Sequence, residues 1–178
     1  MRLIAITKPD FYDGEAAFIK RLFESGFDIV HLRKPNSDID NCRNILNELS
    51  SEERSKIVVH DYPELYYEFL LKGIHINKNI VKYPEGYQGF KTRSCHSLEE
   101  VMLYKDDFDY VFLSPIFDSI SKQGYKSAFT QDELRRASEE GIIDEKVVAL
   151  GGVTYDRISL LKDLGFGGAA MMGGAFIS

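Results

Sequence analysis

Four histidines, His31, His60, His75 and His96, stand at or near the ends of short apolar runs, and two of them have charged companions: Arg33 and Asp61. His31 and Arg33 are two residues apart in an extended segment, so they project to one face while Val30 and Leu32 project to the other. An imidazole and a guanidinium ending a strand inside a protein have little structural use unless something anionic is bound. The competing reading is an ion pair of Arg33 with Asp61 or Asp118. Ser94 and His96 form a similar polar pair at another strand end. In the long polar stretch Ser114 to Ser127, Ser119, Ser121 and Lys122 offer two hydroxyls and an ammonium, suited to several phosphate oxygens at once. A solvated surface loop would look much the same. Gly151, Gly152, Gly173 and Gly174 end two further apolar runs. Such glycines either let backbone N–H groups approach an anion or simply make tight turns. The histidines also raise a zinc reading. Against it, no H-x-H pair occurs and the charge of Arg33 repels a cation. Asp61 holding magnesium that bridges to substrate phosphates is the preferred metal assignment.

These groups need a scaffold that brings strand ends together. Short apolar runs alternate with helical patterns along the whole chain, the signature of successive βα units and a parallel sheet. The spacing predicts strands at Leu3 to Ile6, Ile29 to Arg33, Ile57 to His60, Ile74 to Ile76, Thr92 to Cys95, Tyr110 to Leu113, Val147 to Leu150 and Ala169 to Met172. Helices are predicted at Glu15 to Ser25, Asp40 to Leu49, Pro63 to Leu71, Leu98 to Lys105, Gln131 to Glu140 and Tyr155 to Leu164. Ser97 with Glu100 and Thr130 with Glu133 form capping-box patterns, and Gly26, Gly73, Gly141 and Gly165 mark helix ends. Tyr83, Pro84, Gly86 and Gly89 argue for an irregular loop where a fourth helix belongs, so that helix is expected shortened or lost.

Eight such strands favour a (β/α)8 TIM barrel over an open doubly wound sheet, because no G-x-G-x-x-G follows the first strand. In a barrel the ligand lies over the carboxyl ends of the strands, with a phosphate site after strands 7 and 8. No closing helix follows the eighth strand in this sequence, so its flank is expected to meet either a partner subunit in a homo-oligomer or further chain. A length of 178 residues is that of one domain, 1–178. The net charge of −6 disfavours non-specific nucleic-acid binding. The first apolar run is too short for a signal peptide or a membrane span, so a cytoplasmic location is expected. Cys42 and Cys95 show no metal spacing and are expected reduced.

The succession VHLRKP, VVHD, GIHI, RSCHSLEE, DYVFLSPIF, SISK, VVALGGV and GGAAMMGGAF resembles thiamine phosphate synthase and its sister, the thiazole tautomerase, over Met1 to Phe176. The synthase joins hydroxymethylpyrimidine diphosphate to a thiazole phosphate and releases diphosphate. The resemblance implies that Arg33, Ser119, Ser121 and Lys122 hold the departing diphosphate, that Asp61 ligates Mg2+, and that Gly152, Met172 and Gly173 line the thiazole-phosphate site. The family's Q-L-R-E-K appears here as His31 to Pro35, so its glutamine is lost and its lysine is moved or removed. Its N-D pair appears as His60-Asp61, and its acidic G-Q-E-D end as Asn77 to Ile80, without the second carboxylate. The tautomerase places a catalytic histidine where Pro115 stands; there His96 or His31 would have to serve as acid or base. A third expectation is an inactive barrel that binds thiazole phosphate or thiamine phosphate.

Overall fold

The computed structural model describes residues 1–35, 37–77, 80–118 and 127–172. Eight parallel strands are hydrogen-bonded in chain order as a closed barrel: β1 (Arg2–Ile6), β2 (Ile29–Leu32), β3 (Ile57–Val59), β4 (Gly73–Ile76), β5 (Phe90–Cys95), β6 (Tyr110–Leu113), β7 (Val147–Leu150) and β8 (Gly168–Met172). This is the predicted (β/α)8 architecture. Every predicted strand is present, with ends shifted by at most two residues.

The helices are α1 (Glu15–Glu24), α2 (Ile39–Asn47), α3 (Ser51–Arg54), α4 (Glu64–Phe69), α5 (Leu98–Tyr104), α6 (Gln131–Glu139) and α7 (Ile158–Asp163). Single 3-10 turns extend α5 at Lys105–Asp107 and precede α7 at Tyr155–Arg157. Only α3 was not predicted, although Ser50 and Glu53 close a full capping box at its start. Thr130 and Glu133 make the expected box on α6. At α5 only half of it forms: Ser97 accepts from the Glu100 N–H, while the Glu100 carboxylate accepts from His96 N–H at 2.7 Å. Between β4 and β5 no helix occurs among the described residues, as the loop composition implied.

Gly26, Gly141 and Gly165 take left-handed conformations past their helices. Gly73 does not. It opens β4, and a side chain there would collide with the Phe90 carbonyl oxygen, so close backbone approach demands glycine. The left-handed residue that ends α4 is Leu70, at φ 52°.

The described chain divides into two compact units, residues 4–91 and residues 1–3 with 92 onward. In the first, β1 to β4 bury Ile4, Ile6, Val30, Ile57, Val58 and Ile74. In the second, β6 and β7 bury Tyr110, Val111, Phe112, Leu113, Val147 and Val148, with Ala169 and Ala170 of β8. Cys42 and Cys95 are both free and buried; burial pushes the Cys95 thiol up to about 11.

Candidate active site

In the unit 4–91 the site is built around the end of β2. Register pairs Ile6 with His31 and Leu32 with Val59, so the residue after β2 lies between the ends of β1 and β3. Thr7, buried just past β1, accepts a hydrogen bond from Arg33 N–H at 3.0 Å and donates to the Arg33 carbonyl at 3.4 Å. On the other side Asp61 Oδ2 accepts from the Lys34 N–H at 3.1 Å. The backbone that carries Arg33 is thereby held from both neighbouring strands. Among the described residues Arg33 has no ion pair, so neither Asp61 nor Asp118 neutralises it there. Tyr62, directly after Asp61, is a non-glycine residue at φ 56°, a strained conformation of the kind that collects at functional sites. Its hydroxyl donates to the Ser37 carbonyl.

Lys34 is not a displaced substrate lysine. Alternation sends it to the face opposite Arg33, where it is 1% exposed. Its ammonium donates to both oxygens of Glu15, at 2.6 and 2.7 Å, and to the carbonyls of Lys8 and Asp10, at 2.9 Å each. Glu15 is itself 2% exposed; burial pushes its carboxyl up, against the pull of Lys34. The pair ties the loop after β1 to the end of β2.

The histidines form a set that no sequence motif announced. His31, His60 and His75 are all buried, and their ligand atoms lie within 4.8 Å of one another. Register explains it. Val59 pairs with Ile74, so one step further His60 stands beside His75, and His31 pairs with Val58, two residues before His60 on the same face. The rings of His60 and His75 stack with centroids 4.1 Å apart and 15° between planes. His31 Nδ1 and His60 Nε2 share a hydrogen bond of 2.7 Å. Both imidazoles titrate well below the ordinary range, first because they are buried and next because His75 is close. The absence of an H-x-H pair within one strand did not keep imidazoles apart, because adjacent strands supply what one strand does not.

The other unit offers glycines and few polar side chains. Gly151 and Gly152 follow β7 at φ 94° and 61°, and the Gly151 carbonyl accepts from Phe117 N–H at 3.1 Å. A side chain on Gly151 would crowd Pro115, and one on Gly152 would meet Phe117 Cβ at 2.8 Å and collide with the Asp118 carbonyl. Positive φ and close packing therefore demand glycine at both positions. Arg157 donates to the Gly152 carbonyl at 2.8 Å, fixing the turn from the start of α7. His96 is exposed, with Nδ1 at 3.1 Å from the Ser114 carbonyl and 3.3 Å from the Ser114 hydroxyl. The Ser114–Pro115 peptide is cis. Ser94 lies on β5 in register with Phe112, and Met172, half exposed, ends β8. Ser119, Ser121, Lys122 and Gly173 lie outside the described residues.

For magnesium, Asp61 is the one predicted carboxylate. The carboxamide of Asn77, standing where the acidic segment was expected, is spent within the loop: it donates to the His60 carbonyl and accepts from Ile80 N–H at 3.1 Å. One carboxylate is enough when substrate phosphates complete the shell. The residues present fit that arrangement. Sequence reasoning missed Thr7, whose position just past β1 could have suggested it, and the Glu15 partner of Lys34, which carried no local signal.

Residues 3–175 match the family described as thiamine monophosphate synthase. The thiamine-phosphate synthase of Limosilactobacillus reuteri is 29% identical over 129 residues, 68% of this chain and 59% of that protein. That of Salinibacter ruber is 24% identical over 90% of this chain and 74% of its own length. The crystal structure of thiamine phosphate pyrophosphorylase from Bacteroides thetaiotaomicron superposes with a TM-score of 0.89 at 42% identity, covering 97% of this chain and 83% of that one. A Pyrococcus furiosus thiamine phosphate pyrophosphorylase, 19% identical at a TM-score of 0.75 over 96% of this chain and 85% of its own, shares the fold. With eight strands in the expected order and a match across nearly the full sequence, the chain belongs to the thiamine monophosphate synthase family.

Proposed function

We propose that the chain is a cytoplasmic transferase that joins hydroxymethylpyrimidine diphosphate to a thiazole phosphate and releases diphosphate. Arg33 carries the reading: its backbone is gripped by Thr7 and through Lys34 by Asp61, while its guanidinium has no carboxylate partner among the described residues. A positioned guanidinium left without a countercharge is prepared for an anionic ligand. In the reaction the bond from the pyrimidine methylene to the diphosphate oxygen breaks, its electron pair leaving with the diphosphate. The thiazole nitrogen lone pair forms the new carbon–nitrogen bond.

Catalysis then consists of stabilising the leaving group and orienting the two rings. We assign Arg33, Lys122, Ser119 and Ser121 to the diphosphate, and Gly151, Gly152, Ser94, Met172 and Gly173 to the thiazole phosphate. Asp61 would hold magnesium, whose charge offsets that of the diphosphate. The reaction moves no proton at carbon, so His31 and His96 have no acid–base part in it. Pro115, which has no proton to transfer, supports this reading over the tautomerase one.

The test is diphosphate release by the 178-residue chain with both substrates and magnesium. Release is expected only when both are present. Arg33→Ala is expected to lower kcat/KM by about 100-fold or more. Arg43→Ala, which removes an exposed guanidinium paired with Asp40 and Glu68, is expected to stay within about twofold. No release, or equal losses in the two variants, would overturn the assignment.

A further inference from the structure

We propose that His31, His60 and His75 form a binding site for a divalent cation of the zinc class, separate from the magnesium position at Asp61. Three adjacent strands deliver the three imidazoles to one place, and among the described residues they are the group of potential metal ligands that converges. The donor set decides the metal. Imidazole nitrogens suit zinc, cobalt and nickel, whereas magnesium takes oxygen ligands. Tetrahedral coordination at ordinary zinc–nitrogen distances places ligand nitrogens about 3.3 Å apart. The observed separations run from 2.7 Å for His31 Nδ1 to His60 Nε2 up to a limit of 4.8 Å, so they bracket that value. Small ring rotations suffice, with a change of tautomer that frees both facing lone pairs. Neutral imidazole is the ligating form, and burial favours it. Three protein ligands leave a fourth position open, as in zinc sites that bind a further molecule. Arg33 stands level with His60 on the same face, so its charge weakens cation binding there without removing any of the three imidazole ligands.

The experiment uses the 178-residue chain freed of metal by chelation, titrated with cobalt(II) and followed by visible absorption, with zinc as competitor. One equivalent is expected to bind with the intense bands of low-coordinate cobalt and to be displaced by zinc. Losing an outer-shell partner of a metal ligand costs about 10–100-fold in affinity, so losing a ligand is expected to cost more than about 100-fold. His31→Gln, His60→Asn and His75→Gln, each checked for native circular dichroism, are expected to show that loss. Asp61→Asn is expected to keep cobalt affinity within about twofold, since its carboxylate lies outside the set. Overturning results are no uptake by the folded native chain, unchanged affinity in folded histidine variants, or a loss in Asp61→Asn equal to theirs. The outcome is independent of diphosphate release, so failure here leaves the proposed reaction standing.

Discussion

The two compact units solve opposite problems with the same strand-and-helix repeat. Of the eight buried polar residues described, six belong to the unit 4–91: Thr7, Glu15, His31, Lys34, His60 and His75. The other unit has Thr92 and Ser114, and its strand ends are shaped by glycine and proline instead. One unit positions charge and imidazole through networks that every member needs. The other positions backbone through conformations that only glycine adopts. Chemistry by side chain and shape by main chain thus tolerate different substitutions.

The largest expected effect breaks the first strategy. Lys34→Ala leaves Glu15 buried without its cation, which costs about 3–5 kcal/mol in urea unfolding. Lys34→Met with Glu15→Leu removes both charges and should recover most of it. A loss under about 1 kcal/mol for the single variant would mean that the pair does not organise the loop after β1. The second strategy breaks at Gly152→Ala, where a side chain is forced to positive φ against Phe117 and Asp118. That is expected to cost about 1–3 kcal/mol, read from the same unfolding curves. Equal stability would show that the turn relaxes freely.

The third effect sharpens the contrast through pH. His31 and His60 stay neutral in the native chain, while the unfolded chain takes up protons as pH falls through about 6.5. The unfolded state then binds more protons, so stability rises with pH and is lost on acidification. With a chelator present, the loss is about 1.4 kcal/mol per imidazole for each pH unit below that value. His31→Gln should flatten the slope by one imidazole's share, and an unchanged slope would place the titration elsewhere.

Strand positions were legible because burial imposes apolar runs on both faces of a parallel sheet, and helix starts because capping chemistry is local. The same locality explains α3: its Ser50 and Glu53 signal was present, but four residues show no periodicity to accompany it. Gly73 was misassigned because a glycine between helix and strand looks alike whether it ends one or lets the other pass a neighbouring carbonyl. Arg33 was legible from alternation. The meeting of His31, His60 and His75 was not, because it depends on register between strands separated by whole βα units. The partner of Lys34 was hidden as well, because it stands 19 residues earlier at the start of α1, with a helix and a strand between the two.

The connection from β4 to β5 has another consequence. The phenol of Tyr87 accepts from Ile74 N–H at 2.7 Å and donates to the Phe90 carbonyl at 2.6 Å, and its ring stacks on Tyr83. A single hydroxyl therefore rivets two consecutive staves where a helix would ordinarily brace them from outside. The loop that makes this crossover therefore supplies its own fastening, and loss of the Tyr87 hydroxyl would unpin Ile74 and Phe90 together.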